Sequence, residues 1–290
     1  MTGVTTSPYD RARREAVFDL LERVWDVRPD SDEFSWWFEQ SPAGPALLTL
    51  AEDGDRVVGV AAASFLRVRA GGREQLVPMP LQVATDTAYR GRGIFSRLEL
   101  ANEEAAAERG SAIGITYPND ASRPIFLERL GWHELWRGRI WARPPLPVES
   151  TLRVEPLSSI PPDIPELDRH ANGQVVDGAF LEWRYLRSPR DYRVLGAWDG
   201  GSLRGLLAFR PQRGSLAVVG HALGDVSRLL HATRSRKPAI ALVPRRHRGA
   251  FLRAGFVPTH KRVRVLGKQL RPEGSLAGDW QFQLGDFDVF

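Results

Sequence analysis

Residues 83–109 read VATDTAYRGRGIFSRLELANEEAAAER, and their reading decides the fold. A β-rich run passes through Arg90-Gly91-Arg92-Gly93 and continues in good helix formers, with Ile94, Leu98, Ala101 and Ala105 at helical spacing. A strand that enters a glycine-punctuated turn and leaves as a helix is a device for holding phosphate. The glycines let backbone approach a ligand, successive N–H groups face one concavity, and the helix dipole favours negative charge there. Arg90 and Arg92 add fixed positive charge at its mouth. Glycine-containing strand–helix turns are common, so this pattern alone leaves an ordinary βα connection open. No Gly-Lys-Ser/Thr follows, which excludes a Walker loop, and two glycines without a distal acid do not make a dinucleotide fingerprint.

The segments around this stretch alternate in type. Residues 8–26 read as an amphipathic helix with Ala16, Val17, Leu20, Leu21 and Val24 on one face. A second short helix around Phe34–Phe38 is stopped by Ser41-Pro42. Strands are expected over 47–51, 57–68 and 75–85, joined at Glu52-Asp-Gly-Asp55 and Ala70-Gly-Gly-Arg73, both hairpin-type turns. The helix at 94–109 ends at Gly110; a strand over 111–116, a helix over 121–130 and a strand over 135–142 follow.

With these pieces in place, Arg90-Gly91-Arg92-Gly93-Ile94 resembles the Arg/Gln-x-x-Gly-x-Gly/Ala loop of the GNAT superfamily of acyl-CoA-dependent N-acyltransferases. Tyr117-Pro118-Asn119-Asp120 and Phe126-Leu-Glu-Arg-Leu-Gly-Trp132 resemble that family's next elements, a strand end carrying Asn and a short helix closing on Leu-Gly-aromatic. The final small residue of the loop is Phe95 here, a departure. The resemblance implies a mixed α/β fold of α+β type, with a mostly antiparallel sheet and flanking helices; the order of elements read here is that family's, less a convincing first strand. It implies acetyl-CoA or another acyl-CoA as co-substrate and no metal.

Carried over by position, the strand whose backbone pairs with the pantetheine amides is Val83-Ala84-Thr85. The pyrophosphate would sit on Arg90, Gly91, Arg92, Gly93, Ile94 and Phe95, with Ser96 near the helix start. Asn119 matches the family Asn that contacts the CoA arm, and capping the next helix is its alternative role. Many family members place a proton-donating Tyr where this chain has Leu127; Tyr117 is the nearby candidate to replace it, and a structural aromatic otherwise. Asp86 and Asp120, each at a strand's C-terminal end, are the candidate bases, with turn formation and helix capping as their structural alternatives. Direct attack, with protons carried by water, remains open because a thioester is already activated.

The second half echoes the first. Phe34-Ser-Trp-Trp37 with Ser41-Pro42 recurs as Phe180-Leu-Glu-Trp183 with Ser188-Pro189, and Asp53-Gly54…Gly59 as Asp199-Gly200…Gly205. Phe126…Trp132 recurs as Phe251-Leu-Arg-Ala-Gly-Phe256, but at a separation about twenty residues shorter. The missing residues fall where the first half carries its phosphate loop. The expectation is therefore a tandem of GNAT folds: residues 1–146 with the loaded site and 147–290 a degenerate copy, with Pro144-Pro-Leu-Pro147 and Pro161-Pro162 as linker.

Composition bounds the alternatives. The chain has 290 residues, 42% hydrophobic and 26% charged, a soluble globular balance with no membrane-length run and no signal core. Cysteine is absent, which removes disulfides and a thiol nucleophile, and six scattered His show no metal-ligand spacing. A cytoplasmic protein is the simplest expectation. Residues 1–150 carry 18 basic and 22 acidic side chains, a net of −4; the remainder carry 22 and 13, a net of +9. No acidic residue occurs between Asp225 and Glu273. Such a run suits an anionic acceptor (a sugar phosphate or sugar nucleotide, for example), a solvated face, or nucleic acid. Nucleic acid ranks last because no helix-turn-helix, zinc finger or aromatic platform accompanies the arginines. The leading reading is an N-acyltransferase acting on the amine of a small-molecule or sugar-type acceptor. A non-catalytic acyl-CoA-binding module is the alternative that the missing Tyr motivates. Monomer and homodimer both remain open.

Overall fold

The computed structural model describes residues 3–145, 155–161, 164, 172–199, 202–212, 216–232 and 238–287. In chain order the elements are β1 (Thr5–Pro8), α1 (Arg14–Trp25), α2 (Ser31–Phe38), β2 (Leu47–Asp53), β3 (Arg56–Ala70), β4 (Arg73–Thr85), α3 (Ile94–Glu108), β5 (Ile113–Thr116), α4 (Arg123–Arg129) and β6 (His133–Arg143). They continue with β7 (Glu155–Pro156), β8 (Asn172–Gln174), α5 (Gly178–Leu181), β9 (Arg193–Asp199), β10 (Ser202–Gln212), β11 (Leu216–Gly224), α6 (Ser227–Ala232), β12 (Ala239–Leu242), α7 (Arg248–Arg253), β13 (Val257–Gln269) and β14 (Trp280–Gln281). The fold is mixed α/β with mostly antiparallel pairing, as the sequence leads one to expect.

Two compact units emerge, one of residues 1–136 with 264–278, the other of 137–263 with 279–290. The observed division lies at 136/137, and the first unit also takes a segment from late in the chain. The expected boundary at 146/147 and most of the proline-rich linker lie outside the described residues. The strands explain this partition. The C-terminal half of β13 pairs antiparallel with β5, from Leu266 opposite Thr116 to Gln269 opposite Ile113. Late in β6, residues 140–143 pair with β12 in the second unit.

In the first unit β1 to β4 form an antiparallel sheet in sequence order. Both β-hairpins have two-residue loops. Gly71 and Gly72 take φ of 58° and 79°, the left-handed pair that a type I′ turn demands. β1 is the strand the sequence reading lacks. Thr5–Pro8 pairs with β2, and the helix expected from residue 8 begins at Arg14 after a short 3-10 turn. On one face of the sheet Val17, Leu20 and Leu21 of α1 meet Leu50, Val57, Val60 and Ala84. On the other, Ile94 and Leu98 of α3 meet Ala51, Val58 and Ala61. Gly59 admits this helix, since a Cβ there would approach Ile94 within 2.9 Å.

β4 ladders with β3, and β5 with β13; no ladder joins β4 to β5. Between these two strands the Thr116 hydroxyl donates to the Pro80 carbonyl at 3.0 Å. They part because β4 is bulged: Val60 opposes Ala84 whereas Ala62 opposes Leu81, so Ala61 faces both Gln82 and Val83. Gln82 absorbs the extra residue at φ 47°, in the left-handed region where a non-glycine costs roughly 1–2 kcal/mol.

The second unit repeats the order helix, three antiparallel strands, helix, strand, helix, strand from α5 through β13. β11 runs parallel to β12, joined by α6. That helix has 6 residues where α3 has 15, so the connection is shortened where the sequence is. Its core gathers Leu207, Val219, Leu229, Leu230, Phe251 and Phe256.

Candidate acyl-donor site

The turn after β4 begins with Asp86, whose side chain accepts from the Ala88 N–H at 3.1 Å and caps a short 3-10 turn. Gly91 (φ 77°) and Gly93 (φ 72°) then reverse the backbone into α3. A Cβ at either glycine would meet nothing within 4 Å, so conformation rather than crowding requires glycine there, and the space in front of the turn is open. Gly93 is the N-cap of α3 and supplies no side chain to it. The N–H groups of the first turn therefore lack intrahelical acceptors and point outward with the positive end of the dipole. Among the described residues Arg90 and Arg97 are exposed beside them without an ion pair. Arg92 folds back instead. Its guanidinium lies over the Tyr89 ring at 4.8 Å and donates to the Ala88 carbonyl at 3.2 Å. Tyr89 in turn donates to Asp53 at 2.6 Å, which ties the turn to the β2–β3 hairpin.

Phe95 is half-buried, and its ring meets Phe126 of α4 edge-on at 5.6 Å. Ser96 lies half-buried in the same first turn. Val83 packs with the α3 cluster, Ala84 faces α1, and Thr85 returns to the α3 face opposite Gly59. Asn119 is exposed. Its Oδ1 accepts from the Ala121 and Ser122 N–H groups at 3.0 and 2.9 Å, the capping geometry that was its alternative role, while its Nδ2 has no acceptor among the described residues. The structure thus brings the parted strand edge, the glycine turn and the start of α3 together, with Asn119 at the end of the neighbouring strand.

The expected bases are differently placed. Asp86 is 6% exposed. Burial pushes its carboxyl upward, but the Ala88 N–H and the guanidinium groups of Arg56, at 2.7 Å, and Arg23, at 3.5 Å, outweigh this and hold it below the ordinary aspartate range. A carboxylate so held accepts a proton poorly. Asp120 is open to solvent and 3.2 Å from Arg123. Tyr117 is half-buried, and burial, then Asp120, raises its hydroxyl above the usual tyrosine range. Leu127, at the family's Tyr position, is exposed.

Three residues escape the sequence reading: Gln82, Arg97 and Glu99. Arg97 gives the clearest signal, a cation in the first turn of a helix, where the dipole disfavours it unless an anion is bound. Glu99 is fully buried on α3. Desolvation, then the nearby Glu103, pushes its carboxyl well above the usual range. Glu103 accepts from the Trp132 indole N–H at 2.7 Å and is paired with Lys268 of β13. In the second unit a buried chain joins the Tyr185 hydroxyl to His221 Nδ1, and His221 Nε2 to Asp286 Oδ1 at 2.8 Å. Tyr185 belongs to a π-helical turn, Glu182–Leu186. Arg184 donates from the same turn to the carbonyls of Gly285 and Phe287 at 3.1 and 3.2 Å.

β4 and β5, which no ladder joins, part beside a glycine turn and a helix start without a side-chain cap. Residues 5–135 match the model of the acetyltransferase (GNAT) domain, so the first unit carries a GNAT-type acetyltransferase domain. Solved structures agree on the fold. A probable N-acyltransferase from Enterococcus faecalis superposes with a TM-score of 0.72 at 12% identity, covering 93% of this chain and 73% of its own. A GCN5-related N-acetyltransferase from Kribbella flavida gives 0.70 at 16% identity, covering 92% and 72%. Saccharomyces cerevisiae N-myristoyltransferase with bound myristoyl-CoA gives 0.63 at 10% identity, covering 92% and 83%. Comparison with curated protein sequences gives no match. No helix among the described residues is long and apolar enough to cross a membrane.

Proposed function

We propose that the chain transfers an acetyl or other acyl group from acyl-CoA to the amine of a small-molecule or sugar-type acceptor, by direct attack in a ternary complex. The observation that carries this reading is the parted β4–β5 pair running into Gly91 and Gly93 and the uncapped, arginine-flanked start of α3. Pantetheine amides would complete the free edge of β4 at Val83–Thr85, as an added strand does. The pyrophosphate would take the N–H groups from Gly91 to Ser96, with Arg90 and Arg97 closing on it. Neither Asp86 nor Asp120 is set up as a strong base, so the amine loses its proton to water, and the chain's contribution is alignment. The repeated order of elements supports reading the second unit as a stripped copy. Its acid-free, arginine-rich stretch would favour an anionic acceptor. Such chemistry belongs where acyl-CoA is made, in the cytoplasm.

A second reading, an acyl-CoA-binding module without turnover, is favoured by one observation: Leu127 stands at the family's acid position. Calorimetric titration of acetyl-CoA into the wild type and a Gly91→Glu/Gly93→Glu double variant tests both, followed by thiol release over an amine panel. Saturable binding that the double variant loses, followed by turnover, supports the transferase. Binding without turnover supports the module, and a folded wild type that binds no CoA overturns both.

A further inference from the structure

Glu99 stands apart among the buried polar groups of the first unit. It is 0% exposed, and neither carboxyl oxygen has a hydrogen-bond partner among the described residues. A carboxyl without a partner is costly to bury, and packing alone would be served better by leucine.

Its direction follows from its neighbours on α3. Three residues on, Asn102 donates to the Ala61 carbonyl of β3 at 3.1 Å and accepts from Thr49 of β2 at 2.7 Å. Four residues on, Glu103 is held by Trp132 and by Lys268 of β13, the strand paired with β5. At 100° per residue, Glu99 projects between these directions, about 60° from Asn102 and about 40° from Glu103. What lies between β3 and β5 is β4 and the gap beyond it. A second orphan lies on β4: the Thr85 hydroxyl is buried without a hydrogen-bond partner among the described residues. Thr85 lies opposite Gly59, whose Cβ would touch Ile94 and Leu98, so it shares the α3 face. Two polar groups without a partner among the described residues, one from the helix and one from the strand, therefore lie on the α3 face beside β4.

Resting on the acyl-transfer reading, we propose that Glu99 is the proton donor to the departing thiolate, the task that the family's Tyr position, here Leu127, cannot perform. The amine nitrogen forms its bond to the thioester carbon, the C–S bond breaks, and its electron pair goes to sulfur. The Glu99 O–H proton then passes to that sulfur. The amine's surplus proton leaves to water, and Glu99 regains a proton from solvent after release. Burial, then the nearby Glu103, pushes the Glu99 carboxyl well above the ordinary range, and a raised carboxyl is better matched to a thiol than an ordinary one.

Difference infrared spectroscopy on the full chain tests this with CoA as the probe. The wild type should show a protonated-carboxyl stretch that Glu99→Gln lacks, and CoA should shift that band. CoA binding detected by calorimetry with the band unmoved would overturn the proposal, because a carboxyl with only a packing role does not feel the ligand. A wild type that is folded but binds no CoA overturns the acyl-transfer reading itself. In turnover of acetyl-CoA with an acceptor from the amine panel, Glu99→Gln should keep KM and lose about a hundredfold in kcat. An unchanged kcat would equally dismiss the role. Gln is an isostere of the protonated carboxyl, and folding of the variant is checked by its circular dichroism.

Discussion

The Phe95 and Phe126 rings meet edge-on at 5.6 Å, and Phe126 meets Trp132 likewise at 5.3 Å. The residue that departs from the family's small one thus directs its side chain towards α4 and leaves its backbone N–H at the helix start. Phe95→Ala should destabilise the first unit by about 2–4 kcal/mol. In the protein that remains folded, CoA affinity should change by no more than about threefold. A much larger loss of affinity at unchanged thermal stability would show that the ring itself contacts the ligand.

Arg90 and Arg97 flank the turn from opposite sides of the glycines. Each replaced by Ala should weaken CoA binding by roughly tenfold, the scale of one charge-assisted contact, with little effect on melting temperature. The double variant should also flatten the dependence of binding on salt. Arg92→Ala is the control, since that guanidinium lies over Tyr89. Equal losses for all three arginines would argue against a directed contact.

Glu99 and Asp86 make opposite predictions for stability against pH. The Glu99 carboxyl is raised in the folded state, so its contribution is fully present below its unfolded value, near 4.5, and is lost as pH rises towards the folded value. Glu99→Gln should therefore melt higher than the wild type at about pH 8, with the gap closing towards about pH 4. Asp86 is lowered, so its contribution is present above about 3.8 and lost as pH falls through the folded value. Asp86→Asn should cost about 1–2 kcal/mol at neutral pH and almost nothing at about pH 2. Parallel melting curves across this range would refute both assignments.

The buried Tyr185–His221–Asp286 chain leaves no room at two glycines. A Cβ at Gly285 would collide with the Tyr185 hydroxyl and the His221 ring, and one at Gly220 would come within 2.5 Å of the same hydroxyl. Gly285→Ala should cost about 3 kcal/mol or more, and Tyr185→Phe about 1–2 kcal/mol, because the latter leaves His221 Nδ1 without its partner. Combining Gly285→Ala with Tyr185→Phe should restore part of the loss; strict additivity of the two would show the clash to lie elsewhere.

Local chemistry made the hairpins and α3 readable: Gly71-Gly72 allows little but a tight turn, and the apolar spacing from Ile94 is helical. β1 escaped because Thr5-Thr-Ser-Pro8 has no apolar alternation, and it exists only through its pairing with β2. The bulge at Gln82 escaped because no glycine marks it. Glu99 reads in sequence as one more solvated acid in a helix rich in Glu, and only the tertiary contacts of Asn102 and Glu103 turn it inward. Tyr185, His221 and Asp286 lie 36 and 65 residues apart, a separation at which no spacing rule operates.

Residues 264–278 belong to the first unit and hold the ladder partner of β5. During synthesis this has a temporal meaning. The loop, α3 and α4 leave the ribosome first, but the strand beside β5 follows more than a hundred residues later. At ~5–20 residues per second, β5 waits on the order of ten seconds with an open edge, and the Glu103 carboxylate waits as long for Lys268. The site thus matures late, after nearly the whole of the second unit has emerged, and an interrupted chain would carry every residue of the phosphate turn in a sheet still missing its neighbour.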